Sequence, residues 1–79
     1  MAGLIWRYKL EHVQTHEQRL EWAGERIWDL AEGKLDQEDT QFVIGQLQGW
    51  ADVAADNERR EYRALAGQMQ DLYRAMFED

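Results

Sequence analysis

Two histidines, His12 and His16, stand four residues apart, the helical spacing that lets two imidazoles reach one metal ion, and Glu17 follows the second. A helical zinc hydrolase needs a glutamate directly after the first histidine as general base. Val13 occupies that position, with Gln14 behind it. No third ligand is evident, so the pair is expected to be two ordinary polar residues, with no metal and no other cofactor. Nucleophilic catalysis is equally poorly supplied. The chain has neither cysteine nor serine, its only threonines are Thr15 and Thr40, and no glycine-rich phosphate loop is present. Carboxylates abound, but a general acid needs a desolvated pocket to raise its pKa, and a few short helices leave little room for one. The expectation is a protein without enzymatic activity.

What remains is binding chemistry. Glu25, Asp29, Glu32 and Asp36 follow one another at steps of four, three and four, and Glu38 and Asp39 extend the run, against Arg26 and Lys34 alone. Successive acids on one helical face lie about 5 to 6 Å apart, close to the spacing of phosphates along a nucleic-acid strand. Such a ridge suits a lysine- and arginine-lined groove. The competing reading is a solvated face, with Glu38 and Asp39 complementing a helix dipole. Trp22 projects roughly 140° to 160° away from Leu20 and Ile27, among Thr15, Gln18, Glu25 and Asp29, so it is expected to be exposed. An exposed tryptophan is a natural anchor for a partner.

A second candidate surface is Gly45 and Gly49, a G-x-x-x-G step inside a helix, where each glycine costs roughly 1 kcal/mol against alanine. Close approach of another helix, from the same chain or from a second copy, would offset that cost. Phe42, Gln46 and Val53 flank the step. Phe42 and Val53 lie off the main apolar stripe, as a middle helix between two neighbours or a homodimer seam would require.

The elements that must position these groups are helices. There is no proline, strong helix formers dominate, and strand-like alternation is absent. Trp6, Val13, Leu20 and Ile27 recur every seventh residue, with Leu10, Ala23 and Leu30 beside them, which predicts one long helix over residues 3 to 32. At 1.5 Å per residue it would run to about 45 Å and project beyond the bundle. Gly33 is placed to close it and Asp36 to cap the next helix, so the two run antiparallel. Val43, Leu47, Trp50 and Ala54 mark a second helix over 37 to 55. Tyr62, Leu65, Met69, Leu72 and Met76 mark a third over 58 to 77. The two stripes differ in direction by only about 50°, so one continuous helix, giving a long helical hairpin, is the alternative to a break near Asp56 and Asn57. Arg59, Arg60, Arg63 and Arg74 sit among Glu58, Glu61 and Asp71 as mixed-sign surface and receive no role.

The expected architecture is an all-α, small antiparallel three-helix bundle forming a single helical domain over residues 1 to 79. Trp6, Leu10, Val13, Leu20, Ile27, Leu30, Val43, Leu47, Trp50, Leu65, Met69 and Leu72 are its expected core. So short a chain buries only about 60% of its unfolded surface, and without a disulfide it gains from docking on something else. The net charge of −7 argues against direct binding to nucleic acid or to an anionic membrane and points to basic partners. No apolar run approaches a membrane span, and the chain reads as cytosolic. The leading expectation is an interaction protein that blocks or regulates a basic nucleic-acid-binding protein or complex. The small acidic inhibitors that phages direct against host polymerases, nucleases or CRISPR complexes share this size, charge and class. The contact residues would be Trp22, Glu25, Asp29, Glu32, Asp36, Glu38 and Asp39. The alternative is a self-associating adaptor module using Phe42, Gly45, Gly49 and Val53.

Overall fold

The computed structural model describes Leu10 and residues 13–78. These residues form three helices: α1 (His16–Ala31), α2 (Gln37–Val53) and α3 (Asp56–Phe77). The result is the all-α three-helix bundle that the patterning predicts. α3 is the central element, packing along α2 on one side and α1 on the other, while α1 and α2 barely touch. Among the described residues no helix is long and apolar enough to cross a membrane.

α1 is shorter than its sequence pattern suggests. Val13 and Gln14 are not helical, and Thr15 is an N-cap whose hydroxyl accepts from Gln18 N at 3.1 Å. The Gln18 carboxamide reaches back to Thr15 N at 3.0 Å and also accepts from Gln14 N. This reciprocal box satisfies the free amide hydrogens of a helix start, and it fixes that start at residue 16. The predicted 45 Å helix from residue 3 is thereby corrected, since the seven-residue stripe crosses a cap. Trp6 and His12 lie outside the described residues.

The turn after α1 forms as expected. Gly33 takes φ 79°, Gly33 N donates to Leu30 O at 2.9 Å, and Lys34 N donates to Asp29 O at 2.8 Å. Those two bonds close the last carbonyls of α1 in the manner that requires a left-handed residue at position 33. Leu35 then turns into the core, and Asp36 caps α2 by accepting from Asp39 N at 2.7 Å.

α2 and α3 are separate helices, broken at Ala54 and Ala55. The device is a side chain to which the sequence reading gave no role. Arg59 donates through Nε to Ala51 O at 2.9 Å and through Nη2 to Ala54 O at 3.1 Å. It thus adds a donor to Ala51 O, which also accepts from Ala54 N at 3.4 Å. It also satisfies Ala54 O beyond the helix end, with its charge at the negative end of α2.

The core differs from the predicted set in a consistent direction. Leu30, Val43, Leu47, Trp50 and Met69 are buried as expected, whereas Leu10, Val13, Leu20, Ile27, Leu65 and Leu72 are only partly covered. Trp22, Ala23, Leu35, Ala51, Tyr62 and Ala66 complete it. Trp22 meets Trp50 edge-on with ring centroids 5.3 Å apart, and Trp50 meets Tyr62 at 6.0 Å. One aromatic run therefore joins all three helices. Arg19 lies over the Trp50 ring at 5.2 Å and Arg26 over Trp22 at 5.9 Å, their stems covering apolar surface.

Candidate interaction surface

His16, the residue that opens α1, has a polar partner on each ring nitrogen. Its Nε2 lies 2.6 Å from Glu61 Oε2 and its Nδ1 lies 2.8 Å from the Tyr62 hydroxyl. The assignment that satisfies all three groups has Nε2–H donating to the carboxylate and Nδ1 accepting the tyrosine proton. A carboxylate, an imidazole and a hydroxyl in line are the parts of a nucleophilic relay. Here the hydroxyl belongs to a fully buried tyrosine, so no substrate reaches it. The arrangement satisfies a buried polar atom. Among the described residues no group of three His, Cys, Asp or Glu side chains could hold a metal ion.

The expected contact residues scatter. Trp22 is 8% exposed and belongs to the core, correcting the expectation of an exposed anchor. The reason is a rotation of α1. Its buried direction is centred on Arg19, Ala23, Arg26 and Leu30, about 60° from the direction that the apolar residues alone imply. That rotation carries Trp22 inward and Trp28 outward, where Trp28 is 71% exposed. Its indole has no ring or hydrogen-bond partner among the described residues.

The acidic ridge is regrouped by the same rotation. Asp29 is half-buried and paired with Arg26 Nε at 3.0 Å, Asp39 is buried, and Asp36 is occupied as a helix cap. Glu38 is exposed in the first turn of α2. Glu25 and Glu32 remain on the outer face of α1, where Glu17 and Glu21 join them. The resulting row is Glu17, Glu21, Glu25, Trp28 and Glu32, at steps of four, four, three and four, all exposed. Glu25 contacts Arg26 at 3.4 Å and Glu32 contacts Lys34 at 3.2 Å, both at the edge of the row. Spacing alone could have found this row, had the arginine stems been counted as covered surface.

The second candidate surface is intact as a face but not as an intrachain contact. Among the described residues a Cβ built on Gly45 or Gly49 meets nothing within 4 Å, so neither α1 nor α3 approaches there. Phe42 is half-buried and Val53 is 77% exposed, which a middle helix flanked on both sides would not leave. A groove of about 440 Å³ does run between α2 and α3, and neither glycine lines it. Its floor is Ala51, Ala66 and Gly67, and its rim carries Gln48 and Asp52 on one side and Arg63 and Gln70 on the other.

Comparison with known proteins adds no assignment: no protein-family model matches the chain, and neither the curated proteins nor the solved structures contain a match.

Proposed function

We propose that this chain is a non-enzymatic interaction protein whose outer α1 face occupies a basic, nucleic-acid-binding surface on a protein partner and so blocks or regulates it. The observation that carries the reading is Trp28, a large aromatic 71% exposed between Glu25 and Glu32 in a row of four exposed glutamates. Tryptophan is rarely left so bare, and it is among the residues most enriched in binding hot spots. The glutamates around it are spaced at about 5 to 6 Å along the helix, as phosphates are along a strand, and they would steer the face toward arginine and lysine. Trp28 then supplies apolar burial and a ring face for a partner cation. An inhibitor of the phage type, including an anti-CRISPR, is the biological form that such a surface suits.

The experiment is capture of partners from the source cell's lysate at low and moderate salt, with wild type, Trp28→Ala and a triple Glu17, Glu21, Glu25→Lys variant. Each captured protein is then titrated with labelled nucleic acid in the presence of each variant. Displacement of nucleic acid by wild type and by neither variant is the expected outcome. Undiminished displacement by both variants overturns the reading.

A further inference from the structure

The groove between α2 and α3 borders the other charged face of the molecule. Arg60, Arg63, Gly67, Gln70 and Arg74 follow one another along α3 at steps of three, four, three and four. Arg60, Arg63 and Arg74 are exposed, and none of them forms an ion pair among the described residues. In a chain with 16 acids and 9 basic residues, three such arginines in one row are a concentration of the minority charge. Asp56 and Glu78 stand four residues beyond the two ends of the row, Glu61 and Asp71 lie beside it on α3, and Asp52 stands across the groove. Where the row borders the groove, the floor is built from the small residues Ala51, Ala66 and Gly67, leaving a recess with polar walls beneath Arg63 and Gln70.

We propose that this groove receives the outer α1 face of a second copy of the chain, with Trp28 seated over Gly67 and the glutamates set against the arginine row. The two surfaces match in three respects. Their charges are opposite, the glutamates of one facing arginines that form no ion pair among the described residues. Their spacings agree, since Glu21 lies about 10 Å of helix from Trp28, and Arg60 and Arg74 each lie about 10 Å from Gly67. Their shapes are complementary, a bare indole on one and a groove of about 440 Å³ floored by small residues on the other. Arg63 at the rim stands where a guanidinium can cover the indole face. Because the two surfaces lie on different faces of one chain, the contact is head-to-tail, and each copy keeps one surface open for the next. It uses the α1 face that the proposed function assigns to an external partner, but it requires no such partner.

Sedimentation velocity across a wide concentration range at low salt, on the full chain, tests it. Wild type associates beyond a dimer, and the association weakens at least tenfold as salt screens the charges. Trp28→Ala and Arg63→Glu are each monomeric, while an equimolar mixture of the two forms a one-to-one dimer, because one retains the groove and the other retains the tryptophan. Gly67→Leu fills the recess without altering charge and also abolishes association, a substitution for which the open space at Gly67 leaves room. A wild type that stays monomeric at millimolar concentration, or a mixture that fails to pair, overturns the proposal. Arg63→Glu and Gly67→Leu leave the α1 face untouched, so displacement of nucleic acid by these variants separates failure of self-association from failure of the proposed function.

Discussion

The Tyr62 hydroxyl donates to His16 Nδ1 at 2.8 Å, and the two rings meet edge-on with centroids 5.0 Å apart. This contact ties the first residue of α1 to the central helix and closes one end of the aromatic run through Trp50 to Trp22. The partners differ in how much they depend on it. Tyr62 is fully buried, whereas His16 keeps some solvent contact and has Glu61 on its other nitrogen.

Removing the two partners singly should therefore have unequal effects. Tyr62→Phe deletes a hydroxyl and leaves an imidazole nitrogen within reach of water, so the loss is about 1 kcal/mol. His16→Ala strands a hydroxyl in the interior and removes ring packing, and it costs more, roughly 2 to 3 kcal/mol. The double variant should fall short of the sum, because the stranded group is gone. Urea unfolding of the four proteins measures this. Strict additivity would show that the bond contributes nothing.

The two tryptophans of α1 should behave as opposites. Trp22→Ala empties a site packed against Trp50 and beneath Arg26, and is expected to destabilise by about 3 to 5 kcal/mol. Trp28→Ala removes an indole that touches little, and stability should change by less than about 0.5 kcal/mol. Denaturant midpoints at constant m-value decide it. Comparable losses from both would mean that the outer face of α1 is packed against something.

That reversal marks the limit of what the sequence conveys here. The three helices, the Gly33 turn, the Asp36 cap and most of the α2 stripe follow from local rules, because each depends on residues within one turn of one another. The rotation of α1 does not. It depends on Arg19 and Arg26 lying over indoles from two helices, and a pattern scored on apolar residues gives those stems no weight. The candidate surface inherits the error, since a shift of about 60° exchanges Trp22 for Trp28 and Asp29 for Glu21. The change in stripe direction between α2 and α3 is small enough to allow one continuous helix, and only the cap-type residues Asp56 and Asn57 hinted at the break. Its agent, Arg59, was not legible, because an arginine's backbone acceptors appear only when the chain is folded.

The start of α1 gives a third prediction, and its signal was present in the sequence as Thr15 followed three residues later by Gln18. Thr15→Ala removes the acceptor for Gln18 N and should cost about 1 kcal/mol. Thr15→Asp preserves an acceptor and adds a charge that the helix N-terminus favours, so it should retain wild-type stability or exceed it. Thermal unfolding followed by circular dichroism distinguishes these outcomes. Equal melting of wild type and Thr15→Ala would mean that the cap does not set the helix start.

Glycines of two kinds allow the sharpest contrast. Gly33 holds φ 79° and closes α1 through bonds to Leu30 O and Asp29 O. Gly33→Ala must either strain that conformation or open the turn, and a loss of about 1 kcal/mol is expected. Gly45 and Gly49 lie within α2 at helical φ, with no atom of the described residues within 4 Å of an added Cβ. Alanine there restricts the unfolded chain and clashes with nothing, so each substitution should stabilise by roughly 0.5 to 1 kcal/mol. The sign at Gly45 and Gly49 also bears on use of that face. If both alanine variants are more stable yet retain nucleic-acid displacement and self-association, the face with Phe42 and Val53 takes part in neither. A stabilised variant that loses either activity would show that a partner approaches α2 closely enough to need bare backbone.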